Sequence, residues 1–181
     1  MDNISLDRII QRSKAIATLD TRTYAEVARD PRALAEAAII VVTVAVARGI
    51  GGLNDGANGL IGGIILSLLG WVIAAMVVYF VGTRITGTPT TSGSVESLMR
   101  TLGYASVPNV FAIFGFIWVI GSMILGVLWI WTLITTILAI RAALNMGTTR
   151  AIATGLLAWI ASGIVQILLA WIFGLSIFFT F

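Results

Sequence analysis

Apolar and polar positions along this chain fall in long blocks, and the longest block sets the reading. From Val107 to Leu144 it runs VPNVFAIFGFIWVIGSMILGVLWIWTLITTILAIRAAL, with no charge between Arg100 and Arg141. A single straight helix over that block would extend roughly 55 Å at 1.5 Å per residue, well beyond a hydrocarbon core of about 30 Å. The block is therefore expected to fold back on itself, with Gly121-Ser122 as the hinge, which predicts spans over 109–121 and 123–144. Shorter apolar runs predict further spans over 33–48, 60–82 and 151–173. The fold class is all-α: a polytopic membrane protein of five transmembrane helices with short interfacial amphipathic helices. Residues 1–32 form a cytoplasmic N-terminal segment, and 33–181 form one membrane domain.

The polar stretches punctuate this pattern. Asp30-Pro31 reads as a helix start, Asp at the N-cap and Pro at the first helical position. Glu36 and Arg48 are expected to bracket the short first span at its two interfaces. Before it, residues 4–29 are mixed in charge. Ile9, Ile10, Ala15, Ile16 and Leu19 would share one side of a surface helix broken near Leu19-Asp20, with Arg8, Arg12 and Lys14 elsewhere. Residues 94–107 place Val95, Leu98, Met99, Leu102 and Ala105 on one helical face, with Glu96 and Arg100 pointing away and Ser94 as N-cap. Two charges in so short a stretch predict an interfacial helix that enters the membrane at Pro108.

Composition narrows the chemistry. Of 181 residues 59% are hydrophobic and 10% charged, with a mean hydropathy of +1.03, against about 25% charged in a soluble domain. There is no Cys and no His, which removes disulfides, thiolate catalysis and the commonest general base and metal ligand. A net charge of +3 is too small and too scattered for a nucleic-acid reader. No cleavable signal peptide is visible, since Asp2 and Asp7 occupy the region where one would be basic. Charge placement orients the chain. With five spans, ten of the eleven Lys and Arg fall on the side of the N-terminus and Arg48 alone on the other. The positive-inside rule then predicts a cytoplasmic N-terminus and an outer C-terminus in an inner (plasma) membrane.

Candidate residues follow from the same pattern. Gly59, Gly63 and Ser67 recur every four residues on the second span, and Gly155 with Gly163 marks a small-residue face on the fifth. Such stripes let helix backbones approach closely. Gln166, on a stripe with Ser162, reads as a hydrogen-bonding link across a helix interface, with a substrate contact as the alternative. Arg141 and Arg150 flank the last inner loop and read as topology anchors touching lipid headgroups; an anionic-lipid pocket with Arg100 is the sharper alternative. Tyr104 positions the chain entering the third span at Pro108, or contacts a partner. Six Trp spread over four spans read as packing and interfacial anchors. No nucleophile–base–orienter set exists, so no catalytic, cofactor-binding or metal residue is expected.

Three features carry a family resemblance: the Asp30-Pro31 start with its small-to-apolar first span; Leu102-Gly103-Tyr104 shortly before Pro108; and Trp129 and Trp131 opening a span that closes with Arg141-Ala142-Ala143-Leu144, followed by Arg150-Ala151. In this order they resemble the Yip domain family (Ypt/Rab-interacting proteins), in the form found in many bacteria, over roughly residues 20–173. The resemblance implies five transmembrane helices with a cytoplasmic N-terminus. Eukaryotic members act in vesicle traffic with small GTPases. Here only about 32 residues precede the first span, so GTPase binding is not carried over.

The expected function is non-enzymatic: a membrane scaffold or accessory protein that contacts lipids, assembles with other membrane proteins or with itself, and binds no nucleic acid. Two other classes stay open. A small transporter or channel predicts a water path past Gln166 and Thr43. An accessory subunit of a larger energy-converting complex predicts a Phe-rich C-terminus (Phe173, Phe178, Phe179, Phe181) buried by partners.

Overall fold

The computed structural model describes residues 5–51, 59–116 and 118–173. Two short helices, α1 (Leu6–Ala17) and α2 (Thr21–Arg29), precede two long ones, α3 (Ala33–Gly51) and α4 (Gly59–Phe80). A π-helical turn, Val81–Ile85, extends α4, and α5 (Val95–Ala105) follows. Then come a 3₁₀ helix over Val107–Phe116 and the long helices α6 (Trp118–Leu144) and α7 (Thr148–Phe173). The chain is all-helical among the described residues. Among the described residues four helices are long and apolar enough to cross a membrane, over Ala33–Ile50, Ile64–Ile85, Met123–Leu144 and Thr148–Val165. The bundle turns large apolar side chains outward on these helices, among them Leu66, Leu69, Val127, Ile130, Leu156 and Ile160. That is the surface a polytopic protein offers to lipid.

The hinge expected at Gly121-Ser122 is not there, because both residues lie inside the continuous helix α6. A glycine in a helix interior costs only about 1 kcal/mol relative to alanine. A break at membrane depth would strand several backbone groups at a greater cost each. The 3₁₀ helix instead ends at Phe116, and α6 is already helical from Trp118. Pro108 has a fixed φ and no N–H to give, and Asn109 N–H bonds the Ser106 carbonyl three residues back at 2.9 Å, so the segment opens in 3₁₀ geometry. At about 2.0 Å per residue its ten residues reach about 20 Å, where an α-helix would reach about 15 Å. It lies between α3 and α6 and runs antiparallel to α6. Its entry sits beside Thr135, whose hydroxyl donates to the Ala105 carbonyl at 2.8 Å, while Phe111 and Phe114 share a groove with Met123 and Val127.

The helix expected over 94–107 forms as Val95–Ala105, with the Ser94 hydroxyl accepting from Ser97 N–H at 3.1 Å. It is enclosed by α2, α3, α4 and α6 rather than open on one side. Arg100, expected to point away, is buried at 9% exposure, and only Glu96 faces out. Gly103 explains how α5 comes so close to α3. A Cβ there would lie 2.6 Å from the Ala37 Cβ, nearer than side chains approach. Two cores result. One joins Ile9, Ile16, Tyr24 and Val27 to Ala37, Ile40 and Tyr104; the other joins Ala75 and Val78 to Leu98, Ile140, Leu144 and Ala158.

Candidate functional site

The site grows from the first turn of α3. Asp30 ends α2, and its carboxylate accepts from the Arg32 amide at 3.0 Å, so α3 begins at Ala33, two residues after the expected proline. That start places Glu36 one turn into the helix. Glu36 is fully buried, not bracketing the span at an interface as expected. Arg8 donates to its Oε1 from Nε and Nη2, both at 2.6 Å. Arg12 Nη1 and the Tyr104 hydroxyl donate to Oε2 at 2.9 and 2.5 Å. The second guanidinium nitrogen of Arg12 reaches Asp30 Oδ2 at 2.7 Å. Two guanidinium groups thus face two carboxylates.

Arg8 and Arg12 come from α1, one turn apart and therefore on one face. The sequence pattern put them away from the apolar side; they sit beside it, because the buried positions of α1 are Ile9 and Ile16, while Ile10 is half exposed. A left-handed Leu19, with φ 66°, stops α1, and Asp20 caps α2 by accepting from the Arg22 amide and the Thr23 hydroxyl. The hairpin so formed docks against protein rather than lying on the membrane surface alone. Trp131 Nε1 donates to the Ala17 carbonyl at 3.0 Å, and Tyr24 OH to the Ile16 carbonyl at 3.2 Å. Arg100 Nη1 donates to the Ala28 carbonyl at 3.1 Å and Nη2 to Glu96 at 3.1 Å, leaving its buried Nε without a partner.

Electrostatics outside the membrane spans agree with this geometry. Burial works to raise the Asp30 pKa, but the Arg12 hydrogen bond, the Arg32 amide and the nearby arginine charges outweigh it and hold the carboxyl low. Burial works to lower Arg12, and Asp30 and Glu36 together more than reverse it. Burial, then the bond to Glu36, pushes the Tyr104 phenol up, so it stays a donor; burial alone does the same to Tyr24. Four hydrogen bonds from three side chains occupy the two oxygens of Glu36. The arrangement is a clamp that ties α1 to α3 and α5.

Of the residues singled out in the sequence, Tyr104 and Arg100 meet at this docking layer, and Pro108 is buried at the start of the 3₁₀ helix. Arg141 and Arg150 are exposed, Arg141 across a cleft from α2. A Cβ added at Gly155 would meet Ile140 of α6 at an ordinary 3.5 Å. Ser67 and Ser162 are half-buried, while the surroundings of Gly59, Gly63 and Gln166 lie outside the described side chains. Sequence reasoning missed Arg8, Arg12 and Glu36 as a set. The available signal was the i, i+4 arginine pair and one carboxylate early in an apolar helix. It also passed over Gly103, although Leu102-Gly103-Tyr104 had been marked.

No curated protein and no solved structure matches the chain. The family model of the Yip1 domain matches residues 16–177, from the end of α1 to beyond α7. With nearly the whole sequence covered, the chain belongs to the Yip1 domain family.

Proposed function

We propose that this protein is a non-enzymatic scaffold or accessory protein of its membrane, assembling with other membrane proteins or with further copies of itself. One observation carries the reading. A four-residue polar cluster, Arg8, Arg12, Glu36 and Tyr104, is spent on docking the α1–α2 hairpin to the bundle. From that docked hairpin Leu6, Ile10 and Leu19 project at 70%, 50% and 38% exposure. A rigid platform with exposed apolar side chains beside the bilayer suits insertion into one leaflet or contact with a partner. Transport draws less support: Thr43 lies on the exposed side of α3 and donates to its own Ile39 carbonyl at 2.8 Å.

The topology proposed with it has five crossings, the 3₁₀ helix making the third. The N-terminus is cytoplasmic and the C-terminus outside, in a plasma (inner) membrane. The charge distribution supports this, as does the antiparallel course of the 3₁₀ helix against α6. Gentle solubilisation through an N-terminal tag tests the whole reading. We expect a fixed companion or a defined oligomer that is lost from a Leu6→Ser/Ile10→Ser variant, and a tag cleaved by protease only in inverted vesicles. A lone particle unchanged in the variant, or a tag cleaved in right-side-out cells, contradicts it.

A further inference from the structure

A second polar feature lies on the opposite flank of α2. Between α2 and the end of α6 opens a cleft of about 350 Å³, lined by Thr21, Tyr24, Arg29, Arg141, Asn145 and Met146 among others. Its polar lining consists of two guanidinium groups, two hydroxyls and one amide. No carboxylate lines it. Asp20 caps α2 and Asp30 pairs with Arg12, while Glu26, on the same helix as Arg29, is exposed and is not among the residues that line the cleft.

Arg29 and Arg141 each stand in the last turn of a helix, where a cation ordinarily serves the terminal carbonyls. Here those carbonyls are taken by other donors. On α2, Arg100 donates to the Ala28 carbonyl and the Asp30 amide to that of Glu26. On α6, the Ser97 hydroxyl donates to Ala143, the Ser92 amide to Leu144 and the Met146 amide to Arg141. Neither the Arg29 nor the Arg141 guanidinium makes a hydrogen bond or ion pair with any described residue. Two cations, both at exposed positions, converge on one cleft, and no carboxylate among the described residues pairs with either.

The level of the cleft identifies the counter-charge. Arg141 lies three residues before the end of the apolar stretch Met123–Leu144, where a membrane helix passes into the headgroup layer. We propose that this cleft is a binding site for a phosphate anion, and that Arg29 and Arg141 hold it from two sides while Thr21 and Asn145 donate to its oxygens. A phospholipid headgroup or a free phosphate would present the same chemistry. The site is independent of the scaffold reading and would stand if that reading fell.

The test uses the full-length protein in nanodiscs of phosphatidylcholine with and without phosphatidylglycerol, reading the retained phospholipid by native mass spectrometry. At about a factor of five per arginine, Arg29→Gln/Arg141→Gln is expected to weaken retention of the anionic lipid about 25-fold. Arg150→Gln, exposed on α7 outside the cleft, should leave retention unchanged. Thermal unfolding with inorganic phosphate separates the sources. A shift present in the wild type and absent from the double variant assigns the site to a soluble phosphate; retention of lipid without that shift assigns it to a headgroup. Equal retention in wild type and double variant, with no phosphate shift, overturns the proposal, as does an equal loss in Arg150→Gln. The unfolding profile of the double variant in phosphatidylcholine alone shows whether it is folded. If it is not, the single variants Arg29→Gln and Arg141→Gln, each expected to lose about fivefold, carry the same comparison.

Discussion

Glu36 shows how one carboxylate can be both costly and indispensable. Taking a charge out of water costs several kcal/mol, and only partners of good geometry return it. Four hydrogen bonds from three side chains supply that geometry, and through Arg8 and Arg12 they tie α1 to the first turn of α3. The linked groups titrate with opposite sign. Asp30 is held below its unfolded pKa of about 3.9, so its contribution to docking is complete above that pH and is lost as pH falls through the lower folded value. Tyr24 and Tyr104 are held above an unfolded pKa of about 10, so their contribution is complete below pH 10 and is lost as pH rises beyond it. Fluorescence of Trp131, whose indole is bonded to the end of α1, should therefore be flat from about pH 5 to 9 and change on both sides. A transition centred near neutral pH would contradict this assignment.

At the scale of elements, α5 and the 3₁₀ helix determine how the long helices meet. The Gly103 crossing with Ala37 brings Tyr104 of α5 to Glu36 of α3, so packing and the clamp depend on the same two turns. Gly103→Val should cost about 1–3 kcal/mol through overpacking, read as a lower midpoint in thermal unfolding, whereas Gly70→Val, which meets nothing within 4 Å, should be close to neutral. An equal response at the two sites would remove Gly103 from this role. The long apolar helices were legible because membrane helices follow from length and hydropathy alone. The reversal at 121–122 was misplaced because sequence weights Gly-Ser as a breaker, while the bilayer penalises broken backbone more heavily. Arg100 was misdirected for a different reason. A periodic pattern finds one apolar face, and α5 is surrounded on nearly all sides, so its arginine had to find a carbonyl and a carboxylate within the protein.

Across the whole molecule, the clamp joins a soluble-looking N-terminal hairpin to a membrane bundle. This is what makes the hairpin a platform rather than a tail. Family membership and the all-helical architecture set the frame, but neither would reveal that connection; it comes from three side chains on α1 and α5 meeting one on α3. The decisive measurement is hydrogen exchange over residues 6–29 in nanodiscs, comparing the wild type with Glu36→Gln. Removing one partner of a buried ion cluster costs about 3–5 kcal/mol. Arg8 and Asp30 are 29% and 23% exposed, which places this case near the lower end. The account predicts that amides of α1 and α2 are protected in the wild type and lose protection about 100-fold in the variant, while α6 and α7 are unchanged. Equal protection of α1 and α2 in both proteins would show that the hairpin is held by something other than Glu36, and would contradict the account.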